Sequence, residues 1–456
     1  MSKITIDKAA SLLYNTQLNI RKIFHGKGER KLNAVLMGAA LYRKKTLRQC
    51  DLMIRQGALF PLLSPIHESG ASVLSLSGKV IIPGFADVHV HLREPGFSYK
   101  ETIRTGTRAA ARGGYTDLCA MPNLNPAPDR LGTLEEELRI IRSDACVHVL
   151  PYACITKGQK GAELVDFQAL KPFTAGFSDD GRGVQSESTM RSAMEQAAKY
   201  GCLIAAHCED DSLLGGGYIH DGDYAKRHGH KGIPSASEWR QLERDLKLAK
   251  ETGCKYHACH ISTKESVALI RKAKAEGADV SCETAPHYLC LTDEDLQEDG
   301  RFKMNPPIRS KADRDALIEG LLDGTIDMIA TDHAPHTAEE KSRGLQHSSM
   351  GVVGLETAFA ILNTCLVKPG ILPLERLLLL MVDTPRERFG LPERTLDEGQ
   401  PATFAVLDPD WEWVIEPERF LSKGRATPFA GMRVQGDCTM TMIGGEAVWK
   451  STHVSW

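Results

Sequence analysis

The strongest constraint on the fold is an alternation. From about residue 85, short apolar runs of β type alternate with amphipathic helical stretches, and the pair recurs eight times. The runs are Phe85–His91, Tyr115–Ala120, Val147–Ala153, Ala175–Ser178, Leu203–His207, Tyr256–His260, Asp279–Glu283 and Met328–Asp332. Stretches rich in Ala, Glu, Lys and Arg lie at 100–112, 133–143, 162–170, 187–200, 236–252, 263–276, 311–323 and 354–366. Parallel strands need a crossover of about a dozen residues or more, and an amphipathic helix supplies it. Eight such units over roughly 300 residues predict an α/β fold of the (β/α)8 TIM-barrel type. The competing open, doubly wound sheet usually carries G-x-G-x-x-G after its first strand, and that motif is absent.

The flanks read differently. Residues 1–82 hold short β runs at Asp51–Gly57 and Val80–Ile82, and residues 391–456 hold others at Thr403–Leu407, Thr439–Met442 and Glu446–Trp449. Neither flank is long enough in β structure to bury a core alone, so the two are expected to pair. The expected organisation is a small composite β-sandwich domain from 1–82 and 391–456, around a metal-dependent barrel at 83–390. Lys plus Arg is 56 and Asp plus Glu 59, a net −3, which excludes a nucleic-acid binder working through bulk charge. No run approaches the ~20 apolar residues of a membrane span. Met1–Lys8 is polar and without an apolar signal segment, so a cytoplasmic location is expected.

Any metal must be held by His and carboxylate. The 12 cysteines include no Cys-x-x-Cys pair and read as reduced thiols. His89-Val90-His91 is the sharpest motif, because residues two apart in a strand share a face. In a barrel that face points inward, and the C-terminal strand ends build the active site. The other runs end in the same way: Ser178-Asp179-Asp180, His207, His260 and Asp332-His333. A lone His at such a place is more often a satisfied core residue, but chance would scatter these residues over both strand ends and the helices. Four His and two Asp suffice for two divalent ions, and the donor set suits zinc. Asp332 is the candidate proton carrier. Arg93, Asn123, Asn305 and His336 follow the same strand ends and are candidates for the substrate side, Arg because it grips a carboxylate bidentately. The stretch 333–350 is long, contains Gly344, and reads as a flap able to close over the site.

The string Pro83-Gly-Phe-Ala-Asp-Val-His-Val-His-Leu-Arg-Glu-Pro-Gly96 resembles the signature of the dihydroorotases. The likeness continues through Met121-Pro-Asn123, Phe177-Ser-Asp-Asp-Gly181, Ala206-His-Cys-Glu-Asp210, Cys259-His-Ile-Ser-Thr263, Glu283-Thr-Ala-Pro-His287 and Thr331-Asp-His-Ala-Pro-His336. It spans roughly residues 75 to 450. The resemblance implies zinc-dependent, reversible cyclisation of N-carbamoyl-L-aspartate to (S)-dihydroorotate in pyrimidine (UMP) biosynthesis, with hydroxide held between two Zn2+ ions attacking the ring amide. It implies His89, His91, Asp180, His207, His260 and Asp332 as metal ligands, with Asp180 bridging and Asp332 also catalytic. It implies Arg93, Asn123, Asn305 and His336 as the substrate-binding set. Related hydantoinases usually bridge their metals with a carboxylated lysine, whereas the fourth run here offers Asp-Asp. A homodimer is expected, as is association with aspartate transcarbamoylase.

Four features depart from the family pattern. Leu124 replaces a common Thr, Ser348-Ser349-Met350 replaces Ala-Pro-Phe, the first 45 residues are divergent, and the Gly215-Gly-Gly217 loop is unusual. The alternative readings are another cyclic amidohydrolase, allantoinase- or hydantoinase-like, and a non-catalytic scaffold of dihydroorotase type. Arg93→Met separates the enzymes: binding of dihydroorotate should weaken by about 100-fold. An enzyme for an uncharged ring should barely respond in the same steady-state assay.

Overall fold

The structure, a computed structural model, describes residues 33–62 and 72–453. Met1–Lys8 and most of the divergent first 45 residues lie outside them. Phe85–Val90 pairs in parallel with Tyr115–Ala120, which pairs with His148–Pro151. Leu203–Ala206, Lys255–Ala258, Val280–Thr284 and Met328–Ile329 form a second parallel series. Single bridges join the two: Phe177 contacts Ala153 on one side and Ile204 on the other, and Val90 contacts His333. The pairing thus passes through eight positions and returns to the first. The fourth expected run, Ala175–Ser178, differs from the others in forming no regular strand, because Phe177 alone is paired on both sides before the chain turns at Ser178. Gly176 is needed there, since a Cβ would stand 2.8 Å from the Leu203 carbonyl oxygen.

The helices bury the faces that their periodicity marks. Glu187–Tyr200 turns Met190, Ala193, Met194 and Ala197 inward, an i, i+3, i+4, i+7 stripe. Ser186 caps it by accepting from the Thr189 amide, and Gly201 ends it at φ 65°. Two expected helices are altered. The 162–170 stretch yields only Phe167–Leu170, and 354–366 divides into Ala358–Leu362 and a π-turn at Asn363–Val367. The π-turn is fastened to the flank: Asn363 Nδ2 donates to the carbonyls of Pro409 and Gln435 at 2.9 and 2.8 Å. Among the described residues no helix is long and apolar enough to cross a membrane.

The flanking strands form two sheets. One has the order Ala58–Leu62, Asp51–Arg55, Ala34–Met37, Ser72–Ser75. The other runs Glu446–Lys450, Arg433–Ile443, Phe404–Val414, Val80–Ile82, Ala40–Arg43, Thr46–Gln49, mixing strands from both ends of the chain. Leu36, Leu41, Leu52, Ile54, Phe404 and Met440, drawn from both sheets, share one buried cluster. Val80–Ile82 leads through Pro83-Gly84 straight into Phe85–Val90, so the sheet fixes where the first ring strand starts.

Tyr115–Ala120 is anchored by a buried ion triad. Asp117 receives Arg386 Nη2 at 2.7 Å and Arg394 Nη2 at 3.0 Å. Burial alone would raise the Asp117 carboxyl, but the two guanidinium groups hold it well below its usual range. Arg386→Met leaves that carboxylate half-compensated. It should cost about 3 kcal/mol, read from the urea midpoint, and the double variant with Asp117→Asn should cost less than the two singles summed.

Candidate metal centre

The ten expected site residues gather at the C-terminal ends of the ring strands. His89 and His91 share one face of the first strand, as their spacing demands. His89 Nδ1–H donates to Glu283 Oε1 at 2.7 Å, and His91 Nδ1–H donates to Asn123 Oδ1 at 2.8 Å. Each ring therefore turns Nε2 toward carboxylates. His89 Nε2 lies 3.4 Å from Asp180 Oδ1 and 3.6 Å from Asp332 Oδ1. His91 Nε2 lies 3.1 Å from Asp332 Oδ1 and 3.6 Å from Asp180 Oδ2. On the other side of Asp180, Oδ1 is 3.6 Å from His260 Nε2 and 3.7 Å from His207 Nδ1. Two compact groups result, His89–His91–Asp332 and His89–Asp180–His260, with ligand atoms within 4.8 Å of one another in each.

This donor set fits a cation. His89 Nε2 and Asp180 Oδ1 are buried without a hydrogen-bond partner, and such atoms cost about 1–3 kcal/mol each unless something satisfies them. Burial alone would raise the Asp180 carboxyl, yet His89, His260 and His91 hold it well below its usual range. Burial likewise opposes a charged His89, but Asp180 and Glu283 pull its pKa well above normal. The site demands positive charge at this point, as a proton or as a metal ion that displaces it. Cys259 completes a third group with His89 and Glu283. Burial, and then Glu283, push its thiol up to about 12, so it stays protonated and is a poor ligand.

Three of the site residues adopt left-handed backbone conformations: Arg93 at φ 60°, His260 at 34° and Asp332 at 46°. Residues with a Cβ rarely do so, and each such conformation costs about 1–3 kcal/mol. The turns end the strands and leave these side chains at the mouth.

The substrate-side candidates divide into two groups. Arg93 Nε donates to the Pro335 carbonyl at 3.2 Å, and its Nη2 is 3.4 Å from His336 Nε2. His336 Nε2–H donates to the Met350 carbonyl at 2.7 Å. Burial, and then Arg93 and Lys100, lower the His336 pKa to about 3, so the ring is neutral. Asn305 donates to Glu209 Oε1 at 2.9 Å beside His207. Within the 333–350 stretch, expected as a flap able to close over the site, Lys341 Nζ donates to the carbonyls of Lys303, Ser349 and Gly351.

The family described as Dihydro-orotase-like matches residues 78–266. The dihydroorotase of Geobacillus kaustophilus is 52% identical over 417 residues, covering 91% of this chain and 97% of that protein. The dihydroorotase of Geobacillus thermodenitrificans is 55% identical over 384 residues, covering 84% and 90%. The chain belongs to the dihydroorotase family. Among solved structures, the L-hydantoinase (dihydropyrimidinase) of Arthrobacter aurescens superposes with a TM-score of 0.81 at 26% identity, covering 93% of this chain and 98% of that one. The dihydropyrimidinase of Brevibacillus agri superposes at 0.79 with 21% identity, covering 92% and 95%, which is a likeness of fold alone.

Within this dihydroorotase framework, sequence reasoning passed over Glu283 and Glu209. Glu283 holds His89 through Oε1 and His257 through Oε2, the latter at 3.0 Å, and Ser281 Oγ in turn donates to His257 Nδ1 at 2.8 Å. The signal was present: Ser281 and Glu283 are two apart on the seventh strand, so their polar side chains share one face. Burial alone would raise the Glu283 carboxyl, but His89 and His257 bring it to about 2, so it remains an acceptor that fixes the tautomer of His89. Glu283→Gln should lower divalent-metal affinity by about 10–100-fold in chelator competition. Unchanged affinity would remove Glu283 from the centre.

Proposed function

We propose that this member of the dihydroorotase family interconverts N-carbamoyl-L-aspartate and (S)-dihydroorotate, the ring-closing step on the route to UMP. The observation that carries the reading is the Asp180 carboxylate, within 3.7 Å of imidazole nitrogens of His89, His91, His207 and His260. In this reading His89, His91, Asp180, His207, His260 and Asp332 would hold two Zn2+ ions. Two bound zinc ions supply a polarised ring carbonyl and a water of pKa about 7.

The chain's own residues do the rest. Burial alone would raise the Asp332 carboxyl, but His91 and His89 hold it far below neutrality, so it is present as the carboxylate. In the hydrolytic direction it takes the proton of the attacking water and passes it to the leaving ring nitrogen. Arg93 and Asn305 hold the substrate carboxylate, and Asn123, already bonded to His91, orients the ring. His336 is neutral and lies beside Arg93. Leu124 and Ser348–Met350 border this region and tune the fit without touching the ligands.

The reading extends to the whole protein. Residues 83–390 would form the metal-dependent barrel, and the described parts of the two flanks, 33–62 and 72–82 with 391–453, the composite β-sandwich that carries it. The enzyme acts in the cytoplasm as a homodimer and associates with aspartate transcarbamoylase, whose product is its substrate.

The decisive measurement couples zinc content to dihydroorotate hydrolysis on the same preparation. The intact protein should bind about two zinc ions per chain and turn over. Asp332→Ala should lose turnover by about 10³-fold while keeping part of its zinc. Near-normal turnover in that variant would refute the role of Asp332, and a zinc-free, inactive parent protein would favour the scaffold.

A further inference from the structure

Asn305 follows the seventh strand, whereas His336 and Met350 belong to the connection after the eighth. Both segments meet at one buried lysine. Lys341 ends the short helix Ala338–Lys341 and is 6% exposed. Its ammonium donates to the carbonyl oxygens of Lys303 at 2.9 Å, Ser349 at 2.7 Å and Gly351 at 2.8 Å. An ammonium has three N–H bonds, so its donor capacity is filled.

The fastening is reciprocal. Lys303 Nζ donates back to the Gln346 carbonyl at 2.8 Å, and the Gly351 amide donates to the Lys303 carbonyl at 3.1 Å. The Ser349 amide donates to the Glu340 carbonyl at 2.9 Å. The carbonyls that Lys341 collects lie close to the substrate side. Lys303 is two residues before Asn305. Ser349 and Gly351 bracket Met350, whose carbonyl accepts from His336 at 2.7 Å. Gly351 sits at φ 132°, and a Cβ there would lie 2.6 Å from the Ala334 carbonyl oxygen, so the bracket admits little displacement. Burying an ammonium is costly, and among the described residues no carboxylate lies within ion-pair distance of the Lys341 ammonium, whose bonds go to carbonyl oxygens. The cost is offset by three carbonyls from two separate connections, an arrangement that fixes one connection against the other.

We propose that Lys341 is a positioning residue for the substrate: it sets the separation between Asn305 and the His336–Met350 wall, and thereby how well the site accepts a ring bearing a carboxylate. This inference rests on the dihydroorotase reading and deepens it. Lys341 touches no metal ligand in these contacts, so its loss should act on substrate fit and leave the metal centre alone.

The test compares the intact protein with Lys341→Met and Lys341→Arg, measuring zinc content, thermal midpoint, and kcat and KM for dihydroorotate. The rate ratio between dihydroorotate and 5,6-dihydrouracil, the same ring without the carboxylate, is measured alongside. Lys341→Met should keep its zinc, raise KM about tenfold with kcat within about threefold, and lower the ratio by a similar factor. Lys341→Arg keeps the charge and should recover part of the KM. If Lys341→Met does not fold, Lys303→Met removes the reciprocal bond to Gln346 and should raise KM about threefold. An unchanged KM and ratio in a folded, zinc-loaded variant would overturn the inference while leaving the dihydroorotase reading intact. A zinc-loaded parent protein with no turnover of dihydroorotate would overturn that reading, and this inference with it.

Discussion

A carboxylate buried among four imidazoles is the interaction on which the rest of this structure depends. Asp180 is almost wholly removed from water, and an uncompensated charge in that position costs several kcal/mol. Its compensation comes from His89 and His91 on the first strand, His207 at the fifth and His260 at the sixth. These strands are far apart in sequence and become neighbours across the interior only because the pairing closes through Val90 and His333. Closure of the ring and ionisation of Asp180 are therefore one constraint seen at two scales. The surrounding carboxylates of Asp332 and Glu283 add negative charge faster than the imidazoles neutralise it, which is why a metal cation suits the centre.

Rigidity spreads outward from that point by hydrogen bonds that each join two strands. Asp87, buried within the first strand, accepts from the His89 amide at 3.0 Å and from the Thr331 amide at 3.1 Å, tying the first strand to the eighth. Glu283 ties the seventh strand to the first through His89 and to the sixth through His257. The left-handed turns at Arg93, His260 and Asp332 are tolerable only within such a frame, because a less constrained strand end would relax them. The frame thus holds the candidate site side chains in place.

What the sequence made legible follows the range of the interactions involved. His89 and His91 were readable because two residues in one strand share a face, a purely local fact. The helix Glu187–Tyr200 was readable because its apolar stripe and Gly201 stop are also local. The choice between Asp179 and Asp180 could not rest on local pattern alone, since both follow the same run. The structure separates them: Asp179 accepts from the amides of Ile155 and Thr156 and from the Thr156 hydroxyl, bracing a turn, while Asp180 faces the imidazoles. Glu283 and Lys341 were missed because their meaning lies in partners 194 and 38 residues away. The fourth strand was overread because an apolar run announces burial, whereas a ladder also needs length.

Shape alone does not decide the chemistry. Hydantoinases and dihydropyrimidinases at 21–26% identity superpose over more than nine-tenths of the chain, so the ring and its flanking sheets are a fold that is not particular to dihydroorotases. Discrimination must then reside in what the strand ends carry. In the proposed function a substrate carboxylate requires a fixed cation at a fixed distance from the reacting carbonyl, and Arg93, the residue proposed for that role, is fixed twice, by its backbone turn and by the Pro335 carbonyl. An aligned guanidinium that moved by an ångström with a mobile flap would forfeit much of the benefit of orientation. The stapling of the connection after the eighth strand is thus the expected companion of Arg93: where recognition depends on geometry around a charged group, the wall facing that group has to be as immobile as the strands that hold the metal ligands.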